Sequence, residues 1–365
     1  MLFTNIYRDT KVLVTGHTGF KGSWLSLWLS LLGARVTGFA LPPEHQDGLF
    51  NRLKMWELIH HVEGDIRDET HIKKVMQDVQ PQFVFHLAAQ PLVRRSYAEP
   101  KLTFDTNVGG AVNLLEAINA VDSVRVLIYV TSDKCYRNKE WIWGYRENDE
   151  LGGHDPYSAS KACAEMVFYA YQNSFWNHNT RISAASVRAG NVIGGGDWAL
   201  DRIIPDCIKA LREEKPISIR NPHARRPWQH VLEPLGGYLL LAMKLLTDSA
   251  GKYTGAWNFG PEKPDNRSVL DLGKAVIDVW GKGHIEIAKN NTDELLAEST
   301  LLHLNCDKAF HLLSWKPVWN FNKSLLNTVA WYKALYEGHG MKEFTISQIE
   351  QYVSDMNNQG ENIHD

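Results

Sequence analysis

The sequence predicts an α/β fold, a doubly wound parallel sheet followed by a smaller, mixed C-terminal lobe. Three observations carry that prediction. Apolar runs of strand length alternate with helical patterns through the first half, the middle runs are continuously hydrophobic, and the rhythm breaks after about Arg188. A chain of 365 residues with 44% hydrophobic content is long enough to bury one large domain and a smaller partner.

In chain order, the first strand is read at 12–15 and runs into Gly16-His17-Thr18-Gly19-Phe20-Lys21-Gly22. The apolar stretch at 24–32 has about half the roughly twenty residues that a membrane span requires, so it reads as a buried first helix. Further strands are read at 35–39, 59–63, 83–87, 124–131 and 182–187. Phe83-Val84-Phe85 and Val126-Leu127-Ile128-Tyr129-Val130 do not alternate, which suits strands covered by helices on both faces. Between them, 113–118 and 164–169 have helical spacing and apolar faces wider than one core contact needs. Both are read as oligomer surfaces. Beyond Arg188, Gly194-Gly195-Gly196-Asp197-Trp198 signals a turn, prolines follow at 216, 222 and 227, and helical runs appear near 235–246 and 269–280. The expected division is 1–187 for the first domain and 188–340 mainly for the second lobe, with some chain returning. A C-terminal helix and polar tail fill 341–365, with 357–365 expected to fray.

Composition excludes several functions. A net charge of −3 supplies no field for gripping nucleic acid or an anionic membrane. Cys135, Cys163, Cys207 and Cys306 lack C-x-x-C spacing, so neither a disulfide framework nor a zinc site is expected. Reduced thiols in the cytoplasm are the simpler reading, and residues 1–10 carry no basic-then-apolar export pattern. Adjacent His60 and His61 suit a chelate poorly in a β run, and no metal requirement is expected.

The chemistry is read from two segments. A glycine loop between a strand and a helix leaves backbone N–H groups free to meet a pyrophosphate, with a favourable helix N-terminus behind them. Gly16, Thr18, Gly19, Phe20, Lys21 and Gly22 are therefore candidate cofactor ligands on a Rossmann-type sheet. Far downstream, Tyr157-Ser158-Ala159-Ser160-Lys161 places Tyr157 and Lys161 on one helical face, where the ammonium favours the ionised phenol. A phenol that ordinarily titrates near 10 could then act as a base nearer neutral pH. Asp155-Pro156 marks the entry to that helix. Together the segments indicate a bound nicotinamide dinucleotide and redox chemistry. A third element, Thr131-Ser132-Asp133-Lys134-Cys135-Tyr136, ends a strand. There a hydroxyl can hold a reacting oxygen and a carboxylic acid can donate a proton.

With these motifs in hand, the chain resembles the extended short-chain dehydrogenases/reductases and, within them, the nucleotide-sugar 4,6-dehydratases. The likeness spans nearly the whole chain through Gly64-Asp65-Ile66-Arg67-Asp68, His86-Leu87-Ala88-Ala89-Gln90, Asn107-Val108 and Arg188-Ala189-Gly190-Asn191-Val192. The strings Gly194-Gly195-Gly196-Asp197-Trp198 and Arg226-Pro227-Trp228-Gln229-His230-Val231, with the segment from Thr131 to Tyr136, resemble the branch of that family acting on CDP-glucose.

The resemblance implies NAD as a recycled cofactor: hydride leaves carbon 4 of the hexose, water is lost across carbons 5 and 6, and hydride returns to carbon 6. It implies Tyr157 as the base on the 4-hydroxyl with Lys161 supporting it, Ser132 holding that oxygen, and Asp133 protonating the departing 6-hydroxyl. By family position Asp65 and Ile66 flank the adenine, and Leu87, Ala88, Ala89, Asn107 and Thr131 complete the cofactor set. Gln90, Arg188, Asn191, Arg202, Arg226 and Asn258 are the implied substrate ligands, with Arg225 a weaker candidate and Trp228 read as core. A homodimer or homotetramer and a place in deoxysugar and surface-polysaccharide (O-antigen, lipopolysaccharide) synthesis are also implied.

Two departures stand out. Related dehydratases carry Glu after the acidic Asp as the carbon-5 base, whereas this chain has Lys134. Lys134 could be a base with a depressed pKa, an electrostatic support for the enolate while Asp133 handles both protons, or a partner of the nucleotide sugar. The second strand ends Phe39-Ala40-Leu41, with no acid for the ribose 2′-hydroxyl and no Arg or Lys for a 2′-phosphate. Loose NAD binding is expected. A nucleotide-sugar epimerase is the nearest rival reading, and Asp133 argues against it. A non-catalytic dinucleotide sensor is the rival from another class, and the presence of both Tyr157 and Lys161 argues against that.

Overall fold

The computed structural model describes residues 3, 5–176, 181–248, 250–262, 266–288 and 301–361. Its central sheet contains β1 (Lys11–Thr15), β2 (Arg35–Ala40), β3 (His60–Glu63), β4 (Phe83–His86), β5 (Val126–Val130), β6 (Ser183–Arg188) and a seventh strand, Gly255–Asn258. The order is β3-β2-β1-β4-β5-β6 and then Gly255–Asn258, all parallel. The direction of winding reverses between β1 and β4, so the loops leaving those strands diverge and open a crevice at the carboxyl edge.

Successive strand residues point to opposite faces, and here both faces are dry. Val12, Val14, Phe83, Phe85, Val126, Ile128, Ala185 and Val187 join one core with Trp24 and Trp28 of helix Phe20–Leu31 and Leu235, Leu239 and Ala242 of helix Leu232–Thr247. Their neighbours Leu13, Val84, Leu127, Tyr129 and Ala184 join a second core under helices Glu69–Val79, Gly110–Asn119 and Pro156–Tyr171. This two-sided burial explains the continuous hydrophobicity of the central strands.

Three expectations are corrected. The sequence reading placed no strand beyond 187, yet Gly255–Asn258 pairs with β6 from Gly255↔Ala185 to Asn258↔Arg188. Its four residues are too few to show a period. The apolar face at 113–118 is consumed inside the chain, because Leu114, Leu115, Ala117 and Ile118 are all fully buried. At 164–169, by contrast, Met166 and Tyr169 remain 54% and 68% exposed. Finally, 357–361 continue the helix Met341–Glu361, while 362–365 lie outside the described residues.

The second half otherwise combines helices with short strand pairs: Ile217–Ile219 with Ile285–Ile287, Arg225–Pro227 with Asn266–Ser268, and Val192–Ile193 with Gln229–His230. Among the described residues no helix is long and apolar enough to cross a membrane, and no group of three His, Cys, Asp or Glu side chains could hold a metal ion.

Candidate active site

The glycine loop leaves β1 at Gly16, whose φ of 76° lies in the left-handed region. A side chain there would meet backbone at once, with a Cβ only 2.7 Å from the Ala88 nitrogen. The following helix, Phe20–Leu31, has no side-chain cap on its N-terminus and no acid in its first turn. Its free amide ends and partial positive charge fit a pyrophosphate at the carboxyl edge of the sheet. Thr15 fastens this loop to the one after β4: its Oγ1 lies 2.7 Å from His86 Nδ1 and accepts the Ala88 N–H at 3.2 Å. Leu87 and Ala88 are thereby set beside Gly16.

Beyond the loop, an open cavity of about 600 Å³ is lined by Asp65, Arg67, Asp68, Asp105, Gly109 and Asn113. Asp65 is gripped by the Arg67 guanidinium, which holds its carboxyl below the usual range, and Asn113 Nδ2 donates to the Ile66 carbonyl at 3.1 Å. At the end of β2, where an acid is missing, the Thr18 hydroxyl donates to the Leu41 carbonyl at 2.9 Å. His17 turns inward. Its ring fills the space that Gly38 leaves open, its Nε2 lies 2.7 Å from His61 Nδ1, and burial lowers its pKa to about 3, so it is neutral.

The Tyr–Lys helix starts where its sequence says it should. Asp155 accepts the Ser158 N–H at 2.9 Å as N-cap, and Pro156 occupies the first turn. Tyr157 and Lys161 follow on one face, only 7% and 6% exposed. The Ser132 hydroxyl donates to Asp133 Oδ1 at 3.0 Å and lies near enough to the Tyr157 phenol to lower its pKa, so base, hydroxyl and acid are grouped together. Ser132 also caps the short turn Asp133–Cys135 by accepting the Lys134 N–H at 3.2 Å, and the Lys134 side chain is half-buried. Asp133 lies against Gly190, where a Cβ would fall 1.9 Å from its Oδ2.

The electrostatics correct one expectation. Lys161 was expected to bring the phenol toward neutrality, but burial pushes Tyr157 up to about 12, with Ser132 and Arg202 pulling against it. Burial likewise brings Lys161 down to about 8, and Glu165 opposes that fall. Desolvation exceeds the pairwise terms because both groups are enclosed. Lys21 extends from the glycine loop into the same field. Its pKa falls to about 8 through burial and the nearness of Arg202 and Lys161, against Asp133 and Asp197. Asp197, read from sequence as part of a turn, holds Arg202 by a 3.0 Å ion pair.

Several expected ligands serve other groups in the structure. Asn107 sits on a π-helical turn, Asp105–Gly109, and bridges the loop after β4 to the Tyr–Lys helix: its Oδ1 accepts the Gln90 N–H at 2.8 Å, and its Nδ2 donates to the Gln90 carbonyl at 3.1 Å and to Ser160 Oγ at 2.9 Å. Gln90 was expected to face substrate, yet its amide donates to Thr103 Oγ1 and accepts the Leu92 N–H. Arg188 was expected there too, but its guanidinium pairs with Glu165 at 2.8 Å. Asn258 is fully buried, accepting from the Tyr136 hydroxyl and donating to the Tyr145 and Asn305 carbonyls. Thr131 donates to Glu165. Buried polar groups must be paired, and these pair within the protein. Asn191, Arg202 and Arg226 keep partial exposure near the second lobe, Asn191 with a left-handed φ of 50°. Sequence reasoning passed over Glu165 although its position four residues beyond Lys161 was the available signal.

A glycine loop at the carboxyl edge of a parallel sheet, with a buried Tyr–Lys pair across the crevice, defines a short-chain dehydrogenase/reductase of the extended, nucleotide-sugar type. The chain belongs to the GDP-mannose 4,6 dehydratase family, whose model matches residues 13–328. It is 44% identical over 358 residues to the CDP-glucose 4,6-dehydratase of Salmonella typhimurium, covering 97% of this chain and 99% of that one. CDP-paratose 2-epimerase of Salmonella typhi is 28% identical, covering 84% and 94%. In fold it is similar to the dTDP-glucose 4,6-dehydratase of Bacillus anthracis solved in complex with NAD, with a TM-score of 0.74, 21% identity, and 91% and 99% of the chains covered.

Proposed function

We propose that this protein catalyses the NAD-dependent 4,6-dehydration of CDP-glucose, a hydro-lyase reaction yielding CDP-4-keto-6-deoxyglucose and water. One observation carries the reading. The Asp133 carboxyl accepts from the Ser132 hydroxyl at 3.0 Å, and Ser132 and Asp133 both act on the Tyr157 phenol, so an acid stands near the base. An epimerase has no leaving hydroxyl to protonate. The 44% identity to a CDP-glucose 4,6-dehydratase supports the choice of nucleotide and reaction.

Gly16, Thr18, Gly19, Phe20, Lys21 and Gly22 would hold the cofactor's pyrophosphate, Asp65 and Ile66 its adenosine end, and Leu87, Ala88, Ala89, Asn107 and Thr131 would shape its bed. Bound NAD supplies a reversible hydride sink between carbon 4 and carbon 6. Tyr157 takes the proton of the 4-hydroxyl, and Ser132 holds the same oxygen. Ser132 and Arg202 favour the phenolate, and the Lys161 ammonium adds a positive charge on the same helical face. The resulting ketone acidifies carbon 5, and Asp133 takes the carbon-5 proton and delivers it to the departing 6-hydroxyl, carbon 5 regaining a proton when hydride returns to carbon 6. Lys134 stabilises the enolate from the adjacent turn. Asn191, Arg202 and Arg226 contact the diphosphate, whose charge calls for cations and donors. Arg188, Gln90 and Asn258 act from behind by fixing the loops that carry these groups.

Exposed Met166 and Tyr169 on the Tyr–Lys helix support a dimer of identical chains through that helix, which sedimentation would test. The decisive assay incubates the protein and NAD with glucose nucleotides of different bases and follows product mass and ketone. Loss of water with CDP-glucose supports the reading. An isomer of unchanged mass would replace it with an epimerase.

A further inference from the structure

Glu165 and Arg188 form an ion pair one helical turn beyond Lys161, and no proton or hydride in the proposed reaction passes through either. The spacing of residues 157, 161 and 165 puts all three side chains on one face of helix Pro156–Tyr171. Glu165 and Arg188 are each only 3% exposed. Arg188 grips the carboxylate with two prongs, Nε to Oε1 at 2.9 Å and Nη2 to Oε2 at 2.8 Å, while Ser186 donates to Oε2 at 2.8 Å and Thr131 to Oε1. Burial pushes the Glu165 carboxyl up, but the guanidinium and these donors outweigh it and hold the group below its ordinary range. The remaining Arg188 nitrogen donates to the Tyr136 hydroxyl at 2.6 Å and the Glu147 carbonyl at 3.0 Å, and Tyr136 passes on to Asn258 at 2.9 Å.

This arrangement exceeds what a brace between elements requires, since buried ion pairs can often be replaced by apolar side chains without loss of stability. Its particular property is charge beside a buried ammonium. The groups acting on Lys161 are Glu165 from its own helix, Cys135 from the turn after β5, His86 from the end of β4, and Lys21 from the glycine loop. Burial keeps the Cys135 thiol and the His86 imidazole neutral, and Lys21 is itself a cation. Among these, Glu165 alone is anionic at neutral pH.

We infer that Glu165, locked in place by Arg188, is a positioning residue that keeps Lys161 charged so that Tyr157 can act as base. The inference rests on the proposed reaction and deepens it. The test is the alkaline limb of the pH profile for CDP-glucose turnover, read beside the titration of the Lys161 ε-carbon by NMR in isotope-labelled protein, assigned with Lys161→Arg. In Glu165→Gln the buried ammonium loses its counter-charge, and both limb and lysine pKa move down by about one unit. In Arg188→Gln the buried Glu165 carboxyl loses the guanidinium that holds it ionised, burial pushes it up towards the neutral form, and both limb and lysine pKa again move down. A purely structural pair would lower the melting temperature in both variants and leave the lysine titration where it is. That outcome, or an upward shift of the lysine titration in either variant, overturns the inference. Should Glu165→Gln not fold, Arg188→Gln decides alone, an unmoved titration counting against the inference. If the unaltered protein dehydrates no CDP-glucose but its lysine resonance shifts as stated, the proposed function fails and the charge coupling stands.

Discussion

Lys134 and Gly190 bracket Asp133 and test its role from two sides. Lys134 stands where related dehydratases carry a glutamate, and its amide is fixed by Ser132. Lys134→Met keeps the length of the side chain and removes the charge. It should leave dinucleotide binding intact and slow dehydration by about 10²-fold, measured as ketone formation at saturating CDP-glucose. Unimpaired turnover would remove Lys134 from the mechanism. Gly190 needs no unusual backbone angle, so its constraint is space: a methyl group would overlap Asp133 Oδ2 at 1.9 Å. Gly190→Ala should displace the acid and lower kcat by about 10²-fold or more, with KM for CDP-glucose and the far-UV spectrum little changed. The residue types Tyr157, Lys161, Ser132 and Asp133 were all legible beforehand, because their spacing is local. The substitution of burial for lysine as the dominant influence on Tyr157 was not, since desolvation depends on every element that closes over the phenol.

At the scale of elements, the site is assembled by three loops that leave β1, β4 and β5 and by the helix Pro156–Tyr171. Asn107 is the side chain that ties two of these together, and it reaches them because the π-helical turn Asp105–Gly109 presents it inward. Asn107→Leu strands the Gln90 backbone groups and the Ser160 hydroxyl. It should cost about 2 kcal/mol of stability in urea unfolding and reduce turnover alongside. An unchanged midpoint would mean that the bridge contributes nothing net. The six N-terminal strands were predictable within a few residues because their composition reports two-sided burial. The strand Gly255–Asn258 was not, because a short run shows no period and its place beside β6 comes from a pairing across the chain. The helix Gly110–Asn119 makes the same point, as its wide apolar face signals contact but cannot say whether the partner is another chain or its own sheet.

Over the whole molecule, one buried carboxyl group joins three distant segments, the C-terminal helix among them. Glu233, on helix Leu232–Thr247, accepts the Val318 N–H at 2.9 Å, the Trp319 N–H at 2.7 Å and the Tyr352 hydroxyl at 3.0 Å. Burial nevertheless raises its pKa from 4.5 to about 7. The folded chain therefore holds a proton that the unfolded chain has lost between about pH 4.5 and 7, and stability falls as pH rises through that window. Glu233→Gln removes the ionisation. The unfolding free energy of the variant should decline less over that window, by on the order of 2 kcal/mol, in parallel urea titrations. Equal slopes for the two proteins would show that Glu233 does not titrate there.

The sequence by itself determined the sheet class, the glycine loop, the Tyr–Lys helix with its Asp155 cap, and the acid at the end of β5. Each of these is written in periodicity or in spacing within a few residues, where backbone geometry leaves little choice. Only the tertiary structure decided that Arg188, Gln90 and Asn258 pair internally, that His17 turns into the core, and that Glu165 is the anion beside Lys161. Those assignments depend on which groups from distant segments meet in a space without water, where each buried donor, acceptor and charge must find its partner.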